Sequence, residues 1–163
     1  MKLLASLALA SNLFVSTQAA SRYAVYKATI APIPGVDTEV SGSVVVFADT
    51  EDGTTVGYGG HVTGLQADLN ATECPATNGC GVHIHSGMGC EDSTAQGGHY
   101  FSDPVMSDPW VTAQYSSDSD GSTEFGAFLE MGTIDLEGRA FVGKFFFGRR
   151  IMISPGVKLR LHV

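Results

Sequence analysis

An all-β fold, a sandwich or a barrel, follows from three features of the sequence. Runs of six to twelve residues are rich in β-branched and aromatic side chains. Turn-forming glycine, proline, asparagine and aspartate clusters separate them. No segment shows an apolar period of 3.6 residues, the mark of a helix packed on a core. Nothing in the 163 residues suggests an internal repeat or a second domain.

The first strand is expected over Tyr23–Ile30, ended by Pro32 and Pro34. The second covers Val40–Phe47 and runs into the turn-rich Asp49-Thr50-Glu51-Asp52-Gly53. Thr54–Leu65 is the third, with glycines that signal a bulge or a close backbone approach. Gly81–Ser86 is the fourth, Trp110–Tyr115 the fifth and Thr123–Met131 the sixth, with a polar loop over Ser116–Gly121. Arg139–Phe147 is the last. The residues beyond it are unlike a closing β-strand in composition, so residues 144–163 form an atypical ending.

Residues 1–19 have the layout of a secretory signal peptide. Lys2 is the positive start, Leu3–Val15 the apolar stretch and Thr17-Gln18-Ala19 a small-residue cleavage site. The apolar stretch is shorter than the roughly 20 residues a membrane helix needs. The mature domain is therefore expected over residues 20–163, secreted and without a membrane anchor. Seventeen acidic residues against nine basic ones give a net charge of −8. That balance argues against a nucleic-acid partner, which selects basic surfaces.

Secretion bears on the three cysteines, Cys74, Cys80 and Cys90. An oxidising compartment favours one bridge and leaves one thiol over. The short loop Cys74-x5-Cys80 is the preferred pair, although sequence alone allows three pairings. Asn70-Ala71-Thr72 is an N-glycosylation acceptor sequence, in agreement with secretion.

The chemistry concentrates in Cys80-Gly-Val-His83-Ile-His85-Ser-Gly87, followed by Gly97-Gly-His99-Tyr100. Residues two apart in a strand share a face, so His83 and His85 project together while Ile84 points into a core. Adjacent imidazoles pack poorly as structural residues, but neutral imidazole nitrogen suits copper and zinc. His99 follows a glycine-framed loop able to fold back over the same face. The three histidines form a candidate metal site. His61 reads as a surface or hydrogen-bonded histidine, and His162, next to the chain end, is not expected to be a ligand.

This segment resembles the copper-site signature of the copper/zinc superoxide dismutases. Val40-Ser-Gly-Ser-Val44, Val62-Thr-Gly-Leu65 and Ile134–Val142 resemble other strands of that family, in the same order. The resemblance implies a Greek-key β-sandwich or flattened barrel. It implies copper ligation by His83, His85 and His99, and superoxide as the small-molecule substrate, converted to dioxygen and hydrogen peroxide. It places Arg150 where the family guides the anion toward copper, and it gives Arg139 a structural role. Cys90 matches a cysteine whose C-terminal partner position is here Ile153.

Two departures matter. No histidine follows His99 in Tyr100–Trp110, and Asp103 and Asp108 alone do not make a zinc site. A zinc-less, copper-only relative is therefore expected. Where the family's fourth copper histidine belongs stands Lys144, and an ammonium is a poor ligand until it loses its proton. A diverged, impaired ending and intron read-through after Gly143 both account for this. Impaired dismutation is set against a non-catalytic secreted module with a vestigial copper site. A three-histidine zinc site ranks last, because no general base for hydrolysis accompanies it.

Overall fold

The computed structural model describes residues 22–32, 38–51, 53–74, 79–89, 93–144, 150–153 and 160–161. The expected signal peptide, Cys90 and His162 lie outside these residues. Eight strands form one antiparallel system: β1 (Tyr23–Pro32), β2 (Ser41–Asp49), β3 (Thr55–Thr63), β4 (Val82–Ile84), β5 (Thr123–Glu130), β6 (Phe141–Lys144), β7 (Arg150–Ile153) and β8 (Arg160–Leu161). Their order is β4-β6-β7-β1-β2-β3-β5, with β8 pairing β1 beyond β7. The all-β expectation holds.

Alternation explains the long strands. Ala28 and Ile30 of β1, Val44 and Val46 of β2, and Val56, Tyr58 and Val62 of β3 are buried. In β1 and β2 the residues between them are exposed or only partly buried, as a sheet with one solvated face requires, whereas in β3 Gly57 is covered by the Phe128 ring. Tyr58 on β3 meets Phe141 on β6 at 6.0 Å, Trp110 at 5.8 Å and Phe125 on β5 at 6.3 Å between ring centroids. These aromatic contacts join the β1-β2-β3-β5 arm to the β4-β6 arm, face to face, as in a sandwich. Trp110, Phe141, Ile84, Met131 and Leu136 are almost wholly excluded from solvent.

The expected fifth strand is absent. Residues 109–112 form a 3-10 turn, and Gln114 contributes only an isolated bridge to Gly81. Pro109 at the start of the turn fixes φ in the helical range, and Asp108 caps it by accepting from Trp110 N. A short helix, α1 (Ser93–Gln96), was not anticipated either. Both stretches lie in the irregular connections that surround β4.

The ending also differs from its expectation. Arg150–Ile153 take a strand position between β6 and β1, through Val142↔Met152 and Lys144↔Arg150 on one side and Ile30↔Ile153 on the other. Ile151 and Ile153 are β-branched and suit a strand, so these four residues are locally compatible with the register their two neighbours impose, whatever the composition around them. The last expected strand, Arg139–Phe147, starts later than expected, and residues 145–147 lie outside the described residues. It begins at Phe141, because Arg139 sits in a turn closed by its N–H on the Leu136 carbonyl.

The preferred disulfide is present: Cys74 and Cys80 are bridged, with Cα atoms 6.2 Å apart. Cys80 is fully buried and leads directly into β4, where its carbonyl accepts from Tyr115 N. The bridge therefore anchors the loop at the point where β4, the strand that carries His83, starts.

Candidate metal centre

Strand β4 holds His83 through the pairing His83↔Val142 with β6. The chain then turns out and back. Ser86 N donates to Gly98 O and Gly87 N to Gln96 O, while Tyr100 N returns to Ile84 O. This ladder sets His99 directly opposite His85 in an antiparallel bridge. Residues directly opposite share a face, and so do residues two apart, so all three imidazoles converge.

Glycine makes the return path. A side chain at Gly87 would press on the backbone of Ala95 and Gln96, both in α1. Gly97 has φ +69°, in the left-handed region that favours glycine. The glycine-framed loop expected from sequence is the device that folds His99 back.

One ligand nitrogen from each of His83, His85 and His99 lies within 4.8 Å of the others. Ring centroids are 4.1 Å apart for His83 and His99, 5.3 Å for His85 and His99, and 6.1 Å for His83 and His85. His83 is 3% exposed. His85 and His99 are half-buried, which gives the centre a solvent side.

Hydrogen bonds orient two of the rings. His85 Nδ1 lies 3.0 Å from the Gly97 carbonyl, an atom that only accepts, so Nδ1–H donates and Nε2 keeps its lone pair. His99 Nδ1 lies 2.6 Å from Asp108 Oδ2, which selects the same tautomer. Histidines that ligate metals commonly have their second nitrogen fixed in this way, by a carbonyl or a carboxylate. Two orienting partners and three imidazole donors fit a copper or zinc ion.

Asp108 is the residue that sequence reasoning missed in this role. Its signal was present: an aspartate before proline reads as a helix cap. The cap explains Oδ1, but only the fold shows Oδ2 on His99.

The other expected site residues fare unequally. Asn70 is exposed, and its Oδ1 accepts from both Thr72 N, at 3.1 Å, and Thr72 Oγ1, at 2.9 Å. Arg150 is placed by its backbone in β7, opposite Lys144, and its side chain lies outside the described structure. His61 is exposed on β3, away from the cluster, as expected. Among the described residues no helix is long and apolar enough to cross a membrane. No protein-family model matches the chain, and neither does any curated protein.

Proposed function

We propose that the chain is a secreted, single-metal copper protein related to the copper/zinc superoxide dismutases, with superoxide as its substrate and reduced activity. The observation that carries this reading is the convergence of His83, His85 and His99 on one face of β4 and its return loop. The sequence resemblance supplies the family, and a Greek-key arrangement of the strands belongs to the same proposal. The three imidazoles would hold a copper ion whose one-electron redox chemistry would take two superoxide anions and two protons from solvent to one dioxygen and one hydrogen peroxide.

The residues of the chain have separate tasks in this proposal. His83, His85 and His99 hold the ion, and Asp108 holds the Nδ1 proton of His99. With Nδ1 engaged by Asp108, His99 has one nitrogen left for a metal, which supports a single-metal, zinc-less centre. Arg150 attracts the anion locally against an acidic chain. A glycan on Asn70 would project from the N-cap of the exposed turn at residues 71–73.

One observation favours a second reading, a copper-binding module without turnover. Position 144, where the resemblance expects a fourth imidazole, is lysine. Three nitrogens suit Cu(I) better than tetragonal Cu(II). A copper titration of the full chain beside a superoxide-decay assay decides. Copper retention lost in His85→Ala, with slow but measurable superoxide decay in the unaltered chain, is the expected result. Equal copper stoichiometry in His85→Ala would overturn the site, and copper retention with no turnover would establish the second reading.

A further inference from the structure

Arg139 reaches three oxygens in three separate segments. Its Nε donates to Asp135 O at 3.0 Å, its Nη2 to Tyr100 Oη at 3.1 Å and its Nη1 to Ser86 O. The guanidinium also lies over the Tyr100 ring, 4.3 Å from its centroid. Among the described residues no carboxylate pairs with it. A charged fork is thus held by neutral acceptors and one aromatic face, and its donors are distributed over the turns around the site.

Two of those contacts are specific in position. Ser86 follows His85 and Tyr100 follows His99. The grip is reinforced from the other side: Trp110 Nε1 donates to Tyr100 O at 2.9 Å, and Asp135 N donates to Tyr100 Oη at 3.3 Å. His85 N also donates to Ala140 O at 2.8 Å, so the residue after Arg139 joins the same ladder.

We infer that Arg139 is a positioning residue that sets the separation of His85 and His99, and through it the affinity of the metal centre. The inference rests on the proposal that these histidines bind a metal. Two ligands on separate chain segments bind tightly only when their spacing is fixed beforehand, because ordering them on binding opposes affinity. Lysine cannot substitute. It offers one compact charge where three directed donors in a plane are used.

The test compares the full chain with Arg139→Lys, Tyr100→Phe and a control, Arg22→Lys. Arg22 is also a multiply bonded arginine, paired with Asp49 at 2.7 Å at the start of β1. Three quantities are read: Cu(II) affinity by chelator competition, the Cu(II) electron paramagnetic resonance spectrum, and the melting temperature of the metal-free chain. Arg139→Lys is expected to weaken copper binding by about 10- to 100-fold, the range seen for outer-shell partners of metal ligands. Its spectrum should be altered and more heterogeneous. Tyr100→Phe, which removes one acceptor but keeps the ring, should fall between. Arg22→Lys should keep both affinity and spectrum.

Unchanged affinity and spectrum in Arg139→Lys would overturn the inference, as would an equal loss in Arg22→Lys at an equal drop in melting temperature. If Arg139→Lys does not fold, Tyr100→Phe decides, and wild-type affinity in it overturns the inference. Failure of the unaltered chain to retain copper would instead overturn the metal reading itself, and the positioning role with it.

Discussion

Asp108 uses both carboxylate oxygens within a few residues of the candidate centre. Oδ1 accepts from Trp110 N at 2.9 Å, and Oδ2 meets His99 Nδ1 at 2.6 Å. These two tasks can be separated chemically. Asparagine caps a helix about as well as aspartate, so Asp108→Asn should leave the fold near its original stability. It removes the charge that holds the His99 proton and lowers the basicity of the coordinating nitrogen. Copper affinity is therefore expected to fall about 10- to 100-fold while the metal-free melting temperature changes little. Chelator competition beside a thermal melt checks both halves, and retained affinity would show that the carboxylate serves only the cap.

Strand β6 is the element on which the unusual ending bears. It lies between β4 and β7, with His83↔Val142 on one side and Lys144↔Arg150 on the other. Strand alternation gives positions 142 and 144 the same face, and position 142 is directly opposite His83. A fourth imidazole at 144 would thus stand in register with the metal face, provided β7 holds β6 in place. Lys144→His is expected to raise copper affinity and superoxide turnover together, measured in parallel with the unaltered chain. A variant that gains neither would mean that the ending does not fix β6 in solution, and that a different terminus is needed.

At the scale of the molecule, burial of the Tyr58 and Tyr115 hydroxyls predicts how stability changes at alkaline pH. Burial pushes the Tyr58 hydroxyl up to about 12 and raises that of Tyr115 further. In the unfolded chain a tyrosine ionises near 10. The native state therefore keeps these protons after the unfolded state has begun to lose them. The stabilisation is complete below about pH 10 and is lost as pH rises toward 12. Alkaline unfolding is expected in that window, with the midpoint moved upward in Tyr58→Phe. An unmoved midpoint, followed by circular dichroism and phenolate absorbance, would assign alkaline unfolding to other groups. The Cys74–Cys80 bridge closes only a short loop and adds about 2 kcal/mol by the chain-entropy account.

The sequence by itself determined the all-β character, the positions of the long strands, the three histidines and a preference for the short disulfide, which the structure then settled. Each depends on chemistry confined to a few neighbouring residues: β-branched runs, turn formers, a His-x-His spacing, two nearby cysteines. The 3-10 turn at 109–112 was misread because Trp110–Tyr115 has strand-like composition, while Asp108-Pro109 imposes a capped turn. The strand at 150–153 was missed because the ending as a whole reads as atypical, although Ile151 and Ile153 themselves suit a strand and pair with β6 and β1. Only the tertiary structure brought Asp108 to His99 and Arg139 to Ser86 and Tyr100. Arg139 meets its partners across separations of 39 and 53 residues. Local pattern carries no information about such contacts, because the chain must close its sheet before those side chains can meet.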